Sequence, residues 1–364
     1  MAYDGIQFNN RVDNFNERKL HAKVVDNILN APTFYSRVMS KGEQMEGKTM
    51  DYTVDVVADT QGEFFVGLET LNSSATNTTI ALSYAQTAFT QPKVGVMLED
   101  FANQGSTATI NLSVFKYEKA AAEALQRLGS AVYADGTANR PNGLGIIVSD
   151  SGTIGGQSRA TYSQLNATVT ASGGTLTLAK MATLDDNTRA ASLLPSNTNI
   201  GVTTKTVFSL YEQLLQPNVR QSYDAVGYDK LGIRANTVDR GDKAQNGAGF
   251  LSIQYRSKPI IADDFATSGV LFFLNESSFG WVGRSIVPAQ YKGMVEKVNL
   301  GTAKAYESVG ADSLDMPSEY NGWFYQKDMV LPNQAGTIGR FYVIGQMTAW
   351  EPRRNGKLTG ITGV

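Results

Sequence analysis

At 364 residues the chain can bury a substantial core and suggests two domains as a prior. Its 34 acidic and 32 basic residues leave a net charge of −2, without the basic excess of a dedicated nucleic-acid binder. With no cysteine and one histidine, His21, it lacks the means for disulfides, thiolate sites and cysteine nucleophiles, and histidine metal sites or triads are all but excluded.

Residues 1–13 read as an extended polar arm, with neither the basic start nor the apolar run of a signal peptide. Asn14 to Asn30 predicts a helix: Phe15, Leu20, Val24 and Ile28 keep helical spacing, and Asn14 with Glu17 resembles a capping box. Tyr52, Val54 and Val56 then alternate with polar residues, as do Ile80, Leu82 and Tyr84, and a third short strand is expected at Val94, Val96 and Leu98. The first two strands, with a turn-rich tip between them, predict a long hairpin that needs a partner surface. Phe64, Phe65 and Leu68 near the tip fit either a neighbouring subunit or a local core.

Residues 107–135 predict the best helix of the chain. Val114, Tyr117, Ala121, Leu125, Leu128 and Val132 form one apolar stripe, and Lys116, Lys119, Glu123 and Arg127 lie opposite. Such length suits a strut better than a compact enzyme domain. A Gly-rich passage follows at 142–169, with Asp150 as its single carboxylate. Beyond it come a short hairpin around Gly173 and Gly174, a helix over 178–194, a strand at Ile200–Val202 and a helix from Thr206 to Leu215 closed by Pro217. Residues 218–249 read as a loop, 250–287 as strands, and Ile338–Met347 as a strong strand. No run approaches the roughly 20 apolar residues of a membrane helix, so no membrane partner is expected.

Three patterns point to chemistry. Gly42–Thr49 fits the phosphate-loop spacing G-x-x-x-x-G-K-T, and a nucleotide hydrolase is the alternative reading it carries. The segment before it is no buried strand, a strand pattern follows it, and Glu43 and Glu46 would repel phosphate. Asp185-Asp186 and Asp263-Asp264 are adjacent pairs whose side chains diverge, which suits turns and caps better than one metal ion. Arg353-Arg354 is a weak phosphate footprint and suits a salt bridge better. No catalytic, cofactor-binding or metal residues, and no cofactor, are expected.

The order Gly143-Leu144-Gly145, Gly152-Thr153-Ile154-Gly155-Gly156, Arg159 to Tyr162, then Asn166 resembles the region after the long helix in major capsid proteins of tailed bacteriophages. Leu165 stands where that family usually has a Trp before the Asn. The segments LYEQLLQP, GFLSIQYRSKPIIADD and GVLFFLNESSFGW resemble the same family's second domain, so the likeness covers about 140–285.

The resemblance implies an α+β Hong Kong 97-type capsid fold. Its parts would be an N-terminal arm and helix (1–45), an extended β-hairpin loop (46–105), a peripheral domain with the spine helix (106–195 and 291–364) and a mixed α/β axial domain (196–290). It implies a structural protein, not an enzyme, that assembles into the icosahedral head shell around double-stranded DNA without sequence-specific binding. Partners would be other copies of itself in pentamers and hexamers, with scaffolding, portal and decoration proteins. The chain would be made in the host cytoplasm and reside in the virion. Phe64, Phe65, Leu68, Arg159 and Asn166 are the subunit-interface candidates.

Overall fold

The computed structural model describes residues 33–39, 42–57, 61–72, 74, 77–102, 112–136, 139–171, 173–190, 198–222, 252–256, 258–284, 286–291, 293–297, 322–331 and 335–364. The expected arm, the helix at 14–30 with His21, and nearly all of the loop at 218–249 lie outside them.

Helix α1 (Thr33–Met39) leads to β1 (Glu43–Gln44), then to the hairpin strands β2 (Thr49–Asp55) and β3 (Thr79–Ala85). These pair antiparallel from Thr49 opposite Ala85 to Asp55 opposite Thr79, as their alternation predicts. The third expected strand is longer and ends earlier. Strand β4 (Thr87–Val96) hands over to helix α2 (Met97–Ala102), so Leu98 is helical. Helix α3 (Leu112–Ala131), about 30 Å long, buries Ala120, Ala121, Ala124, Leu125 and Leu128, while Val114 at its start is exposed.

The Gly-rich passage folds into α4 (Leu144–Ile147), the two-stranded ribbon β5 (Thr153–Ile154) and β6 (Gln157–Ser158), and a 3-10 turn at Ser163–Leu165. Strands β7 (Thr168–Thr170) and β8 (Gly174–Thr175) follow, but not as the expected hairpin. Two C-terminal strands take them instead, in parallel: β17 (Gly356–Leu358) pairs β7, and β18 (Ile361–Gly363) pairs β8. The intervening helices are α5 (Leu178–Ala190) and α6 (Lys205–Ser222), separated by β9 (Ile200–Thr203). Helix α6 runs through Pro217, since an established helix absorbs the loss of one N–H donor.

The remaining strands are β10 (Ser252–Tyr255), β11 (Lys258–Ala262), β12 (Leu271–Leu274), β13 (Phe279–Gly283), β14 (Val295–Lys297), β15 (Trp323–Val330) and the 14-residue β16 (Gly336–Ala349). Two six-stranded sheets result. In one, β16 pairs β4, β13 and β15, with β1 and β14 at the ends. The other runs β10-β11-β9-β12-β17-β7.

The second sheet lies between two apolar clusters, which explains its continuous apolar runs. Along β12, Leu271 and Phe273 join a cluster with Met181, Leu184, Phe208 and Tyr211 of α5 and α6. Phe272 and Leu274 point the other way, into the larger cluster with α1, α3 and the first sheet. Period-two alternation is still obeyed, but both faces are buried, so the polar half of the pattern disappears.

Candidate assembly surface

The described residues hold no group of three histidine, cysteine or carboxylate side chains placed for a metal. The residues of chemical interest are otherwise engaged. Gly42–Thr49 runs through β1 into β2, with a left-handed turn at Gly47 and no helix start to cradle a phosphate. The Gly47 carbonyl accepts from Arg284, and Lys48 is exposed.

Both acidic pairs split. Asp185 is fully buried and meets Lys258, Arg189 and Arg256, whereas Asp186 is exposed and takes Arg256 alone. Asp263 accepts from the backbone N–H of Phe34, 2.8 Å away, and of Phe265, while Asp264 takes Lys205 at 2.6 Å. Asp263 thus caps the first turn of α1 from 229 positions away. The pKa of its carboxyl is raised from the ordinary 3.8 by burial, against the pull of these two N–H groups. Arg354 is buried on Glu351, and Arg353 is exposed.

The glycine passage builds an internal joint. Arg159 is 0% exposed, and its guanidinium donates to the carbonyls of Ser149, Ile146 (2.8 Å) and Ile147 (3.2 Å). It closes the C-terminal end of α4, where a cation suits the helix dipole. Burial lowers its pKa to about 10. Arg159 thus makes these contacts inside the subunit. Asn166 is half-buried in the turn after Leu165, with its N–H on Ser163 and its Oδ1 enclosed without a donor among the described residues. Thr161 is exposed.

The hairpin tip is the opposite case. Phe64 and Leu68 are 106% and 108% exposed, as open as in a free peptide, and Phe65, Val66 and Leu71 are exposed beside them. Exposed apolar residues in one contiguous stretch mark a surface meant for cover. Sequence reasoning missed a second run of exposed apolar side chains, Val96, Met97, Leu98 and Phe101 at the β4–α2 junction. Its signal was present, since Met97, Leu98 and Phe101 keep helical spacing, but the strand alternation before them masked the switch of period.

At the hairpin root, the Tyr84 hydroxyl donates to the Ala349 carbonyl at 2.6 Å, and the Tyr52 hydroxyl lies 3.2 Å from Thr348 Oγ1. Beside it, Tyr52, Val54, Leu165, Trp350 and Arg353 line a groove of about 560 Å³, open toward solvent.

No protein-family model and no curated protein matches the sequence. Solved structures do match in fold, over nearly the full length. The chain is similar to a subunit of the capsid asymmetric unit of cyanophage A-1(L), with a TM-score of 0.67 at 14% identity, covering 97% of this chain and 99% of that one. It is similar to the capsid of a native GTA particle, at 0.55 and 9%, covering 96% and 97%. It is also similar to the holo-SrpI encapsulin complex of Synechococcus elongatus, at 0.55 and 11%, covering 99% and 96%. The chain therefore has the mixed α+β fold of these subunits.

Proposed function

We propose that this chain is a major capsid protein of a tailed bacteriophage, a structural protein that assembles with copies of itself into the head shell. The carrying observation is the fold likeness to a phage capsid subunit across 97% of the chain. It is joined by an apolar hairpin tip with no cover among the described residues.

In this reading the architecture is Hong Kong 97-type. The β2–β3 hairpin is the extended loop, α3 the spine helix and the sheet through β9–β12 the centre of the axial domain, with β7 and β17 contributed from flanking segments. Phe64, Phe65 and Leu68 are buried by a neighbouring subunit, for which the β4–α2 patch offers an apolar seat. A tip of one copy on a different surface of the next makes a heterologous contact, which closes into rings. Repeated over pentamers and hexamers, modest contacts sum to a stable shell. The net charge of −2 suits a container that holds double-stranded DNA without gripping its sequence. Scaffolding, portal and decoration proteins belong to the same reading, as does residence in the virion after synthesis in the host cytoplasm.

The test is negative-stain microscopy of the protein expressed alone and with a scaffold. Rings, sheets or closed shells are expected, and nuclease-protected DNA within particles from infected cells marks the head shell. Monodisperse monomers in every condition would overturn the proposal.

A further inference from the structure

The exposed hairpin meets the Gly-rich passage at one place. Gly155, at the turn of the β5–β6 ribbon, lies against Leu82 midway along β3, where an added Cβ would sit 2.7 Å from the Leu82 Cβ. Its φ of +55° is a second reason for glycine there. The Gly155 carbonyl accepts from the Ser83 N–H at 3.0 Å, and Gln157 Nε2 donates to the Ala81 carbonyl at 3.0 Å. The ribbon is in turn tied down at its base. The Arg159 N–H donates to the Gly152 carbonyl, and the Arg159 guanidinium grips the end of α4. An arginine buried without an acidic partner among the described contacts is costly, and three backbone carbonyls are what it gains.

We propose that the β5–β6 ribbon, fixed by Arg159, is a brace that sets the angle at which the hairpin leaves the body, and through it the curvature of the assembled shell. The second half rests on the capsid reading; the first does not. Leverage is the reason so small a contact matters. The chain from Leu82 back to Leu68 reaches at most about 46 Å at about 3.3 Å per residue. A tilt of about 10° at Leu82 then carries the tip by up to about 8 Å, more than an apolar side chain's width. Arg159 acts as a positioning residue and touches no partner.

The absence of cysteine makes the brace measurable in the monomer, because introduced thiols are the only ones present. Spin labels at Glu69→Cys, beside the tip, and Arg127→Cys, on α3, report the tip-to-body distance. In the parent a narrow distribution is expected. Gln157→Ala, which removes one bond at a partly exposed side chain, and Arg159→Met should shift or broaden it. Arg159→Lys, which keeps a donor for the helix carbonyls, should restore part of it. Without labels, the same variants should give shells of altered diameter, tubes or open sheets. Should Arg159→Met fail to fold, Gln157→Ala carries the test alone. An unchanged distance distribution in the folded variants overturns the brace. A shifted distance with shells of unchanged diameter overturns the link to curvature. A parent that never assembles overturns the capsid reading and leaves the distance measurement to decide the brace.

Discussion

The β2–β3 hairpin and the β9–β12 sheet are built from similar strands with opposite exposure. Along β3, Leu82 and Tyr84 are buried while Thr79, Ala81, Ser83 and Ala85 face solvent. Along β12 every residue is buried, odd positions in one cluster and even positions in the other. The sheet is held by its own chain on both faces. The hairpin is held at its root by Tyr52, Tyr84 and the Gly155 contact, and beyond Val56 its apolar side chains are uncovered. On the proposed reading the same chain keeps stability and association in different places, so substitutions should separate the two.

The sharpest way to break the contrast is Phe273→Ala. Phe273 is 0% exposed and stacks on Tyr255 with ring centroids 5.6 Å apart. Chemical denaturation should show a loss of about 3–5 kcal/mol. Next is Asp263→Ala, which strands the buried Phe34 N–H and the partly buried Phe265 N–H and detaches the first turn of α1 from the sheet. A loss of about 1–3 kcal/mol is expected from the same measurement. Tyr84→Phe removes one hydroxyl bond at the hairpin root and should cost about 0.5–1.5 kcal/mol. At the tip, Phe64→Ser with Leu68→Ser should change monomer stability by no more than about 0.5 kcal/mol, because neither side chain is buried. That pair should nevertheless abolish assembly in microscopy. A large loss of monomer stability at the tip would show that the hairpin is covered within its own subunit.

The smallest expected effect is a pH dependence. The Asp263 carboxyl lies above 3.8 in the folded chain, so just above that pH the folded state holds a proton the unfolded state has released. Stability from this group is therefore greatest at low pH and declines as pH rises through the folded pKa. Unfolding curves of the parent and Asp263→Asn should converge or cross over that window, since asparagine does not titrate. Parallel curves would show that the carboxyl titrates alike in the folded and unfolded chain.

Local physics made much of this legible in advance. Alternation located β2 and β3, apolar runs located β9, β12 and β16, and helical spacing located α3, because burial of one face or of both leaves its mark in the chain. The glycines of 142–169 marked a bend, and Phe64, Phe65 and Leu68 stood out as apolar residues that fit either a neighbouring subunit or a local core. Where the patterns failed, a distant segment had intervened. Nothing local distinguishes a β7–β8 hairpin from two strands claimed by residues 356–363, because both satisfy the same backbone groups. Nothing local shows that Arg159 turns inward onto three carbonyls of residues 146–149. Asp263 and Asp264 look alike until one meets the start of α1 and the other Lys205. Sequence alone thus determined many of the strands, the long helix and the apolar character of the tip. Tertiary structure decided which polar groups are spent inside the subunit and which apolar side chains are left exposed, since a hydrogen bond or a buried face is fixed by what arrives from far along the chain.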